Sequence, residues 1–181
     1  MQLQKSVWVV ALTALAYMGL FSFNQLVFPT LDMASARGLV FLPSGLQLIG
    51  ILLFVEWGAL GLVLGAFAMG LGPLYAGDPI TAIGAALLAG VAPLCARALC
   101  VRYDALDEDL HGLSGAALLR LTVVFSALSA LLGQLWLLGR NQGGDLWADI
   151  ALHFTGNLLG ALILLYSAKL VLDRLPQLSR G

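Results

Sequence analysis

Charge is what this sequence has least of. Asp, Glu, Lys and Arg make up 10% of its 181 residues, against about 25% in ordinary soluble chains. Hydrophobic residues make up 60%, and mean hydropathy is +0.95. A water-soluble fold of this length has too little interior to hide that much apolar surface, so lipid is the solvent that fits. The net charge is −1 and there is no basic run, which excludes nucleic acid as a partner.

Cysteine and histidine are nearly as scarce. Cys95 and Cys100 stand five positions apart in one apolar run. One helix cannot join them without distortion, and they have no zinc spacing, so they read as small apolar filler. The two histidines, His111 and His153, fall on opposite sides of the membrane in the topology below, which excludes a haem held between them. No paired carboxylates occur at membrane depth, no nucleophile stands beside a histidine, and no Gly-rich phosphate loop is present. The expectation is therefore no enzyme, no metal and no cofactor. The glycine-rich "GRNQGGD", residues 139–145, reads as a turn between spans.

What is present is a succession of six apolar segments, roughly 7–28, 39–55, 58–73, 79–97, 117–139 and 150–172. They predict an all-α fold, a polytopic transmembrane helical bundle forming one domain over 1–181. The first segment is too long for the core of a signal peptide and no small-residue cleavage site follows it, so it reads as a span. The second and third are short for a hydrocarbon core of about 30 Å. Only Glu56 and Trp57 lie at their junction, which predicts a helical hairpin. Asp78 before Pro79 reads as an N-cap and first helical residue, Ser114 as the cap of the fifth segment, and Asp149 as the favourable charge opening the sixth.

Counting cations orients the bundle. With the N-terminus in the cytoplasm, six crossings place Lys5, Arg97, Arg102, Arg120, Lys169, Arg174 and Arg180 inside and only Arg37 and Arg140 outside. The positive-inside rule selects that arrangement, so both termini are expected in the cytoplasm. The largest inner loop, "RYDALDEDLHGLSG", carries Asp107, Glu108 and Asp109, either a solvated face or a place for a partner protein to dock. His111 in that loop reads as exposed. Trp8, Trp57, Trp136 and Trp147 lie near span ends, as aromatic-belt residues do.

Small residues mark the packing. Gly58, Gly61, Gly65, Ala68 and Gly72 recur at spacings of three and four, and Gly156 and Gly160 form a shorter stripe. Hydrocarbon gives helices little hydrophobic drive to associate, so close backbone approach through such stripes matters. Both read as seams inside one bundle, with contact between two copies as the other use.

The polar residues divide by depth. Asn24, Gln25, Ser44, Gln47, Gln134, His153, Thr155 and Asn157 all occupy the outer half, while the inner halves hold only hydroxyls such as Thr13, Thr122, Ser126 and Ser129. A hydroxyl can return its hydrogen to its own helix; a carboxamide or imidazole cannot satisfy itself fully, and an unpaired polar group in lipid costs several kcal/mol. The economical arrangement is an outward-facing pocket formed by Ser44, Gln47, Gln134, His153 and Asn157. Interhelical glue is the competing role for each of them, worth about 0.6 kcal/mol on average. Glu56, at the inner hairpin, reads as an interfacial carboxylate.

The stretches "ALAYMGLFSF" and "FLPSGLQLIGILLFVEWGALGLVLGAF" resemble the first-described family of membrane-associated sensor domains, the MASE type. Pro43 and Gly45 match that family's helix start, and Gly65 and Ala66 its hairpin end. "LSALLGQLWLL" is similar to its Ser-Ala-Leu-Leu-Gly span, and "HFTGNLLGALILL" to its closing helix, with Gly156, Leu159 and Gly160 in register. Phe41 and Leu42 stand where the family has tryptophan and proline, and Asn157 stands where it has an acidic residue. Such domains are usually fused to a kinase or diguanylate cyclase, whereas here nine residues follow the last segment.

The resemblance and the polar cluster together imply a sensory or regulatory bundle in a bacterial inner membrane. It would take a periplasmic or lipid-borne ligand and signal through a membrane or cytoplasmic protein partner, with self-association left open. An accessory subunit of a larger membrane complex and the substrate-binding component of a small-molecule transporter are the alternatives.

Overall fold

The computed structural model describes residues 2–28, 39–103, 114–142 and 144–178. All regular structure among them is helical: α1 (Gln2–Val27), α2 (Pro43–Met69), a short π-helical turn (Gly70–Leu74), α3 (Pro79–Arg102), α4 (Gly115–Gly139) and α5 (Leu146–Leu178). The five α-helices are each long and apolar enough to cross a membrane. Their outer faces carry large apolar side chains, such as Leu12, Leu15, Leu53 and Leu135, each more than half exposed. Such a surface suits lipid and not water.

Six apolar segments become five helices because α2 contains the second and the third. It is not one straight rod. Val55 has φ 45° and ψ −112°, and the chain folds back on itself there. A Cβ on Gly50 would lie 3.7 Å from Leu62 Cδ1, and one on Gly58 would collide with the carbonyl of Gly50. In a continuous helix those pairs would be separated by about 18 Å and about 12 Å. The two arms, 43–54 and 56–69, therefore lie side by side. The reversal sits beside Lys5 and Ser6 at the start of α1. The entry to the first arm is tied to the other end of α1, where the amide of Leu42 donates to Oδ1 of Asn24 at 2.8 Å.

Two clusters form the interior. Leu48 of the first arm packs with Ala92, Ala96 and Cys100 of α3, Leu121 and Phe125 of α4, and Ala161 of α5. Tyr17 and Phe21 of α1 pack with Ile51, Ala59 and Leu62 from both arms. The first arm is thus surrounded by protein except at its tip, where Leu53 and Phe54 are exposed, while the second lies between α1 and α3.

Glycines set the separations, though not as one stripe. Gly61 lies where a Cβ would be 2.7 Å from the carbonyl oxygen of Val10, and Gly65 where it would be 2.8 Å from that of Ala14. These two seat the second arm on α1, whereas Gly58 faces the first arm. Gly72 departs from the expected seam: it is exposed, with nothing within 4 Å of a Cβ built on it. The physical cause is Pro73, which cannot donate a helical hydrogen bond. The turn widens, Tyr75 N donates to Gly70 O at 2.9 Å, and the three-four register breaks. Gly160 leaves room for the backbone of Phe41 and Leu42, and the carbonyl of Gly156 accepts from Phe41 N at 3.0 Å.

The caps follow the expected chemistry. Asp78 Oδ1 accepts from Thr81 N at 3.0 Å, and Ser114 Oγ from Ala117 N at 3.1 Å. The last helix begins four residues earlier than expected. Its cap is Asp145, which accepts from Trp147 N and Ala148 N, while Asp149 in the first turn reaches back to Gly144 N. Cys95 is exposed and Cys100 buried, and both are free thiols.

Candidate functional site

The half of the bundle that holds the end of α1 and the start of α5 encloses a cavity of about 120 Å³. Every described helix contributes to its wall. The first arm supplies Gln47, α4 supplies Gln134 and Ser129, and α5 supplies His153. Around them stand the aromatic rings of Tyr17, Phe21, Phe41, Tyr75 and Trp136. None of the described lining residues is Asp, Glu, Lys or Arg. The chamber is therefore uncharged, part aromatic and part carboxamide.

Each polar group is placed by its helix. Nε2 of Gln134 lies 3.4 Å from Nδ1 of His153, within hydrogen-bond distance. The ring fits because Gly133 opposes it; a Cβ there would lie 3.0 Å from His153 Cε1. Gln47 is different. It is 4% exposed, lines the cavity, and its side chain makes no hydrogen bond to any described residue. A carboxamide in a cavity wall with no partner among the described residues is free to pair with a molecule held in that cavity.

The five residues expected to form the pocket separate into two groups. Gln47, Gln134 and His153 line one cavity. Ser44 and Asn157 do not. Ser44 Oγ lies 2.6 Å from the carbonyl oxygen of Phe41 and 2.8 Å from that of Asn157, so it fastens the first arm to α5. Asn157 is 1% exposed, and neither amide atom of its side chain has a partner among the described residues. It stands one helical turn below His153 on the same face of α5. The docking residues proposed from sequence, Asp107, Glu108 and Asp109, lie outside the described residues, as does His111.

The aromatic wall was not anticipated. Tyr17 and Phe21 are four apart on α1, with ring centroids 6.2 Å apart, and Phe21 meets Phe41 edge-on at 6.1 Å. The i, i+4 spacing was legible as one face, but nothing in sequence says that the face turns inward. Trp136 corrects the belt assignment. Its indole packs over Gly84 and donates through Nε1 to the carbonyl of Thr81 at 3.3 Å. Trp8, Trp57 and Trp147 remain exposed.

A polar clasp closes the bundle above Trp136. Asp78 accepts from Thr81 Oγ1 at 2.7 Å, from Arg140 at 3.3 Å and from Gln142 Nε2 at 2.8 Å. Arg140 Nε also donates to Thr81 Oγ1 at 3.1 Å. These hydrogen bonds, those from Thr81 first, together with the Arg140 charge, bring the Asp78 carboxyl down to about 2. The start of α3 is thereby joined to the end of α4. No cluster of potential metal ligands occurs among the described residues.

No protein-family model, no curated protein and no solved structure matches this chain.

Proposed function

We propose that this protein is a membrane sensory or regulatory bundle of six crossings, with both termini cytoplasmic, that binds a small uncharged ligand in its outer cavity and signals through a partner protein. The observation that carries the reading is Gln47: a nearly buried side chain in a cavity wall, with no hydrogen-bond partner among the described residues. The absence of charged residues from the described wall favours a neutral molecule. The volume favours a compact one, since an apolar cavity of about 150 Å³ accommodates a benzene ring. A ring bearing one hydrogen-bonding group would stack on the aromatic residues and pair with Gln47. The cavity is walled by helices from every part of the chain, so filling it changes how they pack. A ligand can shift that packing only by binding the two arrangements differently.

Six crossings are supported by the fold-back at Val55, which puts the tip of α2 beside Lys5, and the orientation by the cation count. A bacterial inner membrane and the MASE-type relationship belong to the same proposal and rest on the sequence motifs.

The test is a thermal-shift series on the purified protein in lipid nanodiscs, with phenol and short neutral amides as probes. Wild type is expected to gain stability with at least one neutral probe, and Gln47→Leu to lose that response while unfolding no earlier than wild type. If Gln47 were interhelical glue, Gln47→Leu would instead lower the melting temperature and no probe would act, which defeats the receptor reading in favour of the accessory-subunit one.

A further inference from the structure

A second concavity lies at the opposite end of the bundle, where α2 reverses. It is a groove of about 500 Å³ lined by Lys5, Ser6 and Val9 of α1 and by residues 53–57. Its two charges are opposite. The side chains of Lys5 and Glu56 are exposed, share this groove, and form no hydrogen bond or ion pair with each other or with any other described residue. Trp57, 46% exposed, stands at the same tip, and Leu53 and Phe54 continue the surface toward the hydrocarbon at 64% and 37% exposed.

We infer that this groove binds the headgroup of a zwitterionic phospholipid carrying a primary ammonium. The phosphate lies against Lys5 and the ammonium against Glu56. An isolated anion there would meet the Glu56 carboxylate, and an isolated cation would meet Lys5; a dipolar headgroup satisfies both. At a membrane edge, where the dielectric falls below that of water, such charge-assisted hydrogen bonds are stronger than in bulk solvent. Trp57 sits at headgroup level, as interfacial tryptophans do, and the acyl chains run down over Leu53 and Phe54. The site requires only that the protein lie in a membrane and is independent of the cavity at the other end.

The experiment is lipid retention by the full chain, delipidated in detergent and then titrated with phosphatidylethanolamine, phosphatidylcholine or phosphatidylglycerol of matched acyl chains, read by native mass spectrometry. The ethanolamine lipid is expected to be retained about fivefold better than the other two. Glu56→Gln is expected to erase that preference, and Lys5→Gln to weaken retention of all three. Both side chains are exposed, so the variants should melt with wild type. Equal or better retention of the glycerol lipid would overturn the assignment, as would an ethanolamine preference that survives Glu56→Gln. Equal retention of the choline lipid would overturn the hydrogen-bonded ammonium. Should the acidic run 107–109 be the true occupant, carbodiimide would join it to Lys5 with or without added lipid, and that result too would refute the headgroup site.

Discussion

Oδ1 of Asn24 accepts a hydrogen bond from the backbone amide of Leu42 at 2.8 Å, in a buried position. One side chain at the end of α1 thus satisfies an amide at the entry to α2, 18 positions along the chain. Water at a soluble helix start would serve that amide, but none is available in lipid. Asn24→Leu should therefore cost about 1–3 kcal/mol by leaving Leu42 N–H buried and unpaired. The measurement is thermal unfolding in detergent; an unchanged midpoint would show that this contact does not hold the two helices together.

The clasp between α3 and α4 makes stability depend on acid. Asp78 has its carboxyl brought from 3.8 down to about 2, by Thr81 first and Arg140 after it. The folded protein therefore favours the ionised form more than the unfolded chain does. The contribution is fully present above about pH 4 and is lost as the pH falls toward 2. Melting temperature should decline over that interval, and Asp78→Asn should flatten this part of the decline. An identical acid profile for wild type and variant would refute the assignment.

Two glycines of the same sequence stripe should behave oppositely. A Cβ at position 61 would lie 2.7 Å from the carbonyl oxygen of Val10, whereas at position 72 nothing lies within 4 Å. Gly61→Ala should destabilise by about 1–3 kcal/mol, because a backbone neighbour has to move. Gly72→Ala should be neutral. Equal effects in chemical denaturation would mean that the two helices are not in close contact at Gly61.

Val55 combines a β-branched side chain with φ 45° and ψ −112°, a conformation that glycine adopts without strain. Val55→Gly should therefore raise stability by about 1 kcal/mol or more, against a strain cost of about 1–3 kcal/mol for such residues. A loss of stability would show that the reversal is held by side-chain packing of the valine and not tolerated despite it.

Topology can be read by labelling. In a background of Cys95→Ala and Cys100→Ala, a cysteine at Ala148 should react with an impermeant maleimide on intact cells, and one at Ala116 only after permeabilisation. Both positions are exposed. The reverse pattern would invert the bundle.

Much of this protein was already determined by its sequence. An apolar, charge-poor chain has to be solvated by lipid, and lipid obliges each backbone segment to satisfy its own hydrogen bonds, so helices and their approximate limits followed from hydropathy. Asp78 and Ser114 marked their helix starts because a cap is a local interaction over three residues. The depth of Gln47, Gln134 and His153 could be counted along each span, and that sufficed to place the three near one level.

Only the tertiary structure decided which face each helix turns inward. That rotation depends on partners far along the chain, and it sent Ser44 to a carbonyl of α5, Asn157 into packed interior and Trp136 onto Gly84, leaving Gln47, Gln134 and His153 around the cavity. It also split the glycine stripe, because Pro73 widens a turn that residue spacing alone reads as regular. Composition chooses the solvent and local chemistry ends the helices; the azimuth of each side chain is fixed by close packing, which no single segment encodes.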